Sequence, residues 1–132
     1  MTRYATALAG DPAQTYRSID LAARTGGADP HALVALLYEE AIRALRSAAW
    51  ATGNRQFAMK GELIGKAIGI IGGLRAGLNL EEGGELAVNL DNLYDYMSRR
   101  LLEANLKNSV EPLDEVADLL RNVKSGWDAI AQ

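Results

Sequence analysis

Along four stretches of this chain, apolar residues recur every three or four positions, and in no segment do they alternate with period two. That pattern restricts the fold to packed amphipathic helices. Residues 30–52 carry Val34, Leu37, Tyr38, Ala41, Leu45 and Ala48 on one stripe. Residues 56–80 carry Phe57, Ile64, Ala67, Ile68, Ile71, Leu74 and Leu78. Residues 85–107 carry Leu86, Leu90, Leu93, Tyr94, Met97, Leu101 and Ala104. A last segment opens at Pro112 and places Leu113, Val116, Leu120, Val123, Trp127 and Ile130 on a seven-residue repeat. Ala51-Thr52-Gly53-Asn54, Glu82-Gly83-Gly84 and Lys107-Asn108-Ser109 punctuate them. Connections this short make neighbouring helices antiparallel.

Asp11-Pro12 and Asp29-Pro30 are both helix-start signals, a capping carboxylate followed by proline at the first helical position. The first opens a weaker segment to about Arg24, with Tyr16, Ile19 and Ala23 on one stripe, broken by Thr25-Gly26-Gly27-Ala28. The expected fold is all-α. An antiparallel up-and-down four-helix bundle spans residues 29–132, and residues 1–28 form an N-terminal segment with a short, mobile accessory helix.

The chain of 132 residues is the size of one domain, large enough to need neither metal nor disulfide, and it has no cysteine. Its net charge of −3 gives no nucleic-acid surface. No apolar run approaches the roughly 18 residues that span a bilayer. The start, MTRYATALAGDPAQTY, lacks the apolar stretch of a signal peptide, so a cytosolic protein without membrane insertion is expected.

Two helices carry more apolar surface than one core requires. A bundle helix shows an apolar stripe about 100° wide. On 30–52, Leu33, Leu37, Tyr38, Ala41, Ile42 and Leu45 spread over about half the circumference, with Leu36 and Trp50 outside that arc. On 56–80 the arc from Met59 through Leu63 and Leu74 to Ile68 is similarly wide. On 85–107 a second set, Val88, Leu102 and Leu106, lies nearly opposite the main stripe. Surplus of this kind is covered by the accessory helix, a second copy or a partner. The helix 56–80 also has Gly61, Gly65, Gly69, Gly73 and Gly77 at every fourth position. Each helical glycine costs about 0.5–1 kcal/mol relative to alanine. The row is a trough for a partner backbone, a tolerated solvent face, or a softened helix.

No catalytic constellation is present. His31 is the only histidine and falls in a first helical turn. A phosphotransfer bundle needs its histidine exposed in mid-helix, and a di-iron bundle needs two inward Glu-x-x-His motifs. The densest polar-aromatic cluster runs from Tyr94 to Leu101. Tyr94 and Met97 fall on the core stripe; Tyr96 and Arg100 lie on its flank, where tyrosine and arginine suit a partner surface.

The stretches DPHALVALLYEEAI (29–42), GGELAVNLDNLYDYMSRRLLEANLKN (83–108) and EVADLLRNVKSGWDAI (115–130) resemble the flagellin export chaperones, the FliS family, in order and spacing. The likeness runs from about Tyr16 to the C-terminus. It implies a non-enzymatic cytoplasmic bundle, without cofactor or metal. Such a bundle binds the C-terminal segment of newly made flagellin, prevents premature polymerisation and delivers it to the flagellar export gate. An anti-sigma factor or a cochaperone is a further partner class, and the unloaded form is a monomer or a homodimer. The resemblance also gives the N-terminal segment a role as a cap anchored by Tyr16 and Ile19. With these, Leu36, Ile42, Gly65, Gly69, Tyr96, Arg100, Leu102 and Leu106 make up the expected partner-binding set. The alternative of a different class is a self-associating adaptor bundle with no flagellin client.

Overall fold

The computed structural model describes residues 30–130. These form four helices: α1 (Pro30–Gly53), α2 (Phe57–Ala76), α3 (Leu80–Lys107) and α4 (Glu111–Ile130). The expected accessory helix, with Tyr16 and Ile19, lies outside the described residues.

Helices α1 and α3 each pack against α2 and α4, closing a four-helix ring. The centre is filled by Leu37, Leu45, Ile64, Ile71, Tyr94, Met97, Leu101, Leu113, Val116 and Leu120, all essentially without solvent access. The Tyr38 and Tyr94 hydroxyls meet at 2.7 Å across the ring diagonal. This bond links the two phenol oxygens inside an otherwise apolar core, where an unsatisfied hydroxyl would be costly.

The expected all-α bundle is therefore the fold, with two changes at its corners. Helix α2 stops at Ala76, where Gly77 closes it by donating its N–H to the Gly73 carbonyl at 3.1 Å. Helix α3 begins at Leu80, the expected end of the second helix, and runs through the expected turn Glu82-Gly83-Gly84, because Asn79 caps it by accepting the Glu82 N–H at 3.1 Å. That first turn is offset from the rest of α3 at Gly84, with φ 57° and ψ −137°. Only glycine adopts this conformation without strain.

Three residues in phase with the core are exposed: Phe57, Leu86 and Ile130. Phe57 opens α2, Ile130 closes α4 and Leu86 follows the Gly84 offset. Ile42 is corrected in the opposite sense. It is 9% exposed and belongs to the core cluster, so it offers no outer face to a partner. A helix in a closed ring is flanked on two sides, so α1 buries an arc wider than a single stripe.

Candidate partner-binding site

Besides Leu80 and Leu86 near its start, α3 exposes Val88, Leu102 and Leu106, the three that their phase marks as surplus. Leu102 is 58% exposed and Leu106 is 83% exposed. Helix α2 runs antiparallel beside them. A methyl group on Gly61 would stand 3.9 Å from Asn105 Oδ1, and Arg75 bonds Asp91 at the other end. In that register Gly61 and Gly65 flank the part of α3 that carries Leu102 and Leu106. A Cβ on Gly65 or Gly72 would meet nothing within 4 Å. The result is a shallow apolar channel, with a low wall on α2 and leucines projecting on α3.

The glycine row is not uniform. Gly65 and Gly72 are exposed, Gly73 is buried, and Gly77 belongs to the cap. Because alanine fits without contact at Gly65 and Gly72, Gly65→Ala with Gly72→Ala should stabilise the bundle by about 0.5–1 kcal/mol each. Thermal unfolding measures that gain. If the low wall is where a guest helix seats, the same pair weakens guest binding.

Charged residues set the limits of the channel. Beyond Gly72, Arg75 Nε donates to Asp91 Oδ1 at 2.6 Å and Arg75 Nη1 to Asp95 Oδ1 at 3.2 Å. Arg99 Nε adds a bond to Asp95 Oδ2 at 3.0 Å. The bond from Arg75 holds the Asp91 carboxyl below its usual value, and Asp91 in turn raises the Arg75 guanidinium. This network bridges the α2–α3 seam at one end.

At the open end Lys60 is only 5% exposed. Its ammonium donates to the Asn105 carbonyl at 2.9 Å and to the Asn108 side-chain oxygen, and it lies 5.4 Å from the Phe57 ring centre. A cation at the last carbonyls of a helix completes bonds that the helix leaves open. Asn108, at φ 51°, closes α3 by donating its N–H to Ala104. Lys60 therefore fixes the end of α3 that bears Leu106.

Tyr96 and Arg100 are on the opposite flank of α3. Tyr96 Oη donates to Glu115 Oε2 at 2.6 Å and Arg100 Nε to Glu115 Oε1 at 2.6 Å; Arg100 also bonds Glu103. Half-buried, the two side chains clasp α4 to α3. Hydrogen bonds from Tyr96 and then Arg100 hold the Glu115 carboxyl below its ordinary value of 4.5, while the bond to Glu115 raises the Tyr96 phenol. A carboxylate with a lowered folded-state pKa stabilises the fold above its unfolded value. That contribution is lost as pH falls through the folded value. Acid unfolding should thus steepen below about pH 4.5, and Glu115→Gln should flatten that limb while lowering stability at neutral pH. Denaturant midpoints across acid pH give the comparison.

The structure brings Gly65, Leu102 and Leu106 together and separates the other expected site residues. Leu36 is half-buried on α1, Gly69 is half-buried on α2, and Ile42 is in the core. His31 stacks on Trp127 at 4.2 Å with planes 6° apart, and Trp127 Nε1 donates to the His31 carbonyl at 2.9 Å. That pair ties the start of α1 to the end of α4, unlike the open mid-helix ring that phosphotransfer requires. Lys60 and the Arg75–Asp91–Asp95 network escape sequence reasoning, because their partners lie between 16 and 48 residues away.

Comparison with known proteins agrees with this architecture. The family model described as "Flagellar protein FliS" matches residues 12–132. The chain is 52% identical over 116 residues to the flagellar secretion chaperone FliSB of Pseudomonas aeruginosa, covering 88% of this chain and 92% of that protein. It is 42% identical over 119 residues to the flagellar secretion chaperone FliS of Salmonella typhimurium, covering 89% and 88%. With the Bacillus subtilis flagellar secretion chaperone FliS it shares 35% identity over 105 residues, 80% of this chain and 77% of that one. The chain belongs to the FliS family of flagellar proteins.

Proposed function

We propose that this protein is a cytoplasmic flagellar secretion chaperone. It binds the C-terminal segment of newly made flagellin, keeps the subunit from polymerising and hands it to the flagellar export gate. The observation that supports this reading is the apolar channel between α2 and α3, where Leu102 and Leu106 project, exposed, beside Gly61 and Gly65. A helix-in-groove binder needs apolar area beyond its own core. The names of the relatives, flagellar secretion chaperones, supply the client class. The mechanism is masking, a non-covalent burial of an amphipathic segment until handover, with no catalytic step.

In the same proposal residues 1–28 cap the channel when no guest is bound, with Tyr16 and Ile19 as anchors. Pro30 follows Tyr16 by fourteen positions. Extended, they reach roughly 45 Å, more than the roughly 30 Å length of a 20-residue helix. Displacing such a cap lowers apparent affinity by the fraction of uncapped protein.

Calorimetric titration with the flagellin C-terminal segment, for the full chain and for Tyr16→Ala with Ile19→Ala, tests both parts. One-to-one binding at micromolar affinity or tighter, with the guest gaining helical circular dichroism, is expected. Tighter binding by the double variant supports the cap. A guest that stays coil in the complex removes the masking mechanism. No heat of binding, together with concentration-dependent sedimentation, would favour the self-associating adaptor.

A further inference from the structure

Eleven lysines and arginines fall within the described residues, and nine hold an ion pair or a side-chain hydrogen bond. The remaining two are Arg46 and Arg55, both exposed. They flank one feature. Arg46 is one helical turn before Trp50, on the same face of α1. Arg55 is in the turn that follows, which is fastened to the Trp50 carbonyl by the Asn54 backbone N–H at 3.0 Å and its side-chain amide at 2.8 Å. Trp50 itself is 58% exposed, and Phe57 and Met59, a few residues on, are exposed as well. In a chain of net charge −3, the α1–α2 corner thus combines two unpaired cations with three uncovered large apolar side chains. Glu111 and Asp114 share that end of the bundle but stand in the first turn of α4, where the helix terminus holds them.

Exposed tryptophan beside arginine is the composition of an interface centre, since both combine large contact area with directional polar reach. Unpaired guanidiniums select a carboxylate-bearing partner. The corner and the open end of the channel share one end of the bundle. Phe57 opens α2, and Leu106 lies in the last turn of α3 at that end.

We propose that the α1–α2 corner, Trp50 with Arg46 and Arg55, is a second docking point for the same guest chain. It takes an acidic stretch with an apolar residue, adjoining the segment seated in the channel. The inference rests on the channel reading of the site. Arg46 and Arg55 draw the guest in and set its direction along the bundle, and the indole covers its apolar residue. Charge pairs at a rim act on association and salt dependence, so their signature differs from that of the leucines.

The test is titration of full-length chaperone with full-length monomeric flagellin of the same organism, at about 0.05 M and about 0.5 M salt, where the screening length falls from about 14 Å to about 4 Å. Arg46→Glu with Arg55→Glu should bind about tenfold more weakly at low salt, and the difference should shrink at high salt. Trp50 emission should shift to the blue on binding, and the shift should vanish in Trp50→Phe, which keeps Trp127. Leu102→Asp should lose binding at both salt concentrations. If the arginine variant binds like the native chain while Leu102→Asp does not bind, the corner is overturned and the channel stands. Binding of the corner variant to some other acidic protein, with flagellin affinity unchanged, overturns it equally. If Leu102→Asp binds normally, the channel reading falls and takes this inference with it.

Discussion

Leu102→Asp combined with Leu106→Asp should abolish binding of the flagellin C-terminal segment and leave the bundle folded. Both side chains project into solvent from α3, so neither substitution opens a cavity or buries a charge in the unloaded protein. In the complex the carboxylates would meet an apolar guest surface with no cation nearby. Lys107 is paired with Glu103, and Lys60 is committed to the end of α3. A truncated hot-spot residue costs at least about 2 kcal/mol, and a buried unpaired carboxylate costs more. Two together should weaken binding by about a thousandfold or more. Titration calorimetry reads the affinity, and thermal unfolding checks that the bundle stays folded, with a loss of about 1–2 kcal/mol from lower helix propensity and two carboxylates near the C-terminus of α3. Native affinity in the double variant would place the guest elsewhere on the surface.

One position earlier on the same helix, the outcome should reverse. Leu101→Ala should destabilise the bundle by about 3 kcal/mol, lowering the melting temperature by roughly 10 °C. Leu101 has no solvent access and packs among Ile64, Met97 and the other central residues, so its truncation leaves a cavity inside a close-packed ring. Leu102→Ala should change stability by less than about 0.5 kcal/mol, because the removed atoms were already wet and alanine favours helix. The two leucines differ by one residue, or about 100° around the helix axis. Comparing the pair by denaturant unfolding separates what holds the fold from what faces solvent. Equal losses would mean that Leu102 is packed in solution.

Helical periodicity identified the four helices, and short loops identified their antiparallel order, because a stripe at 3.6 spacing has one stable use in water. The same phase argument separated Leu101 from Leu102 and marked Val88, Leu102 and Leu106 as surplus. It failed where burial depends on what the neighbouring helices cover. Phe57, Leu86 and Ile130 are in phase and exposed, two of them at helix ends and one just past the Gly84 offset. Ile42 is off the stripe and buried, since α4 closes the ring on that side of α1.

The polar contacts divide in the same way. Composition and spacing marked Tyr96 and Arg100 as unusual, but only packing shows that both are committed to Glu115. Lys60 reads in the sequence as one more surface lysine; the fold buries it against the end of α3. The glycine row raised a question about α2 that the chain alone left with three answers. Tertiary structure splits the row into an open position at Gly65, with exposed Gly72 beside the row, a half-buried Gly69, a buried Gly73 and a cap at Gly77. Local pattern thus determined the helices and their apolar faces, because these depend on residues within a turn or two of one another. Which apolar faces stay uncovered, and which charges find partners, was decided by the ring, because those contacts join residues far apart in the chain.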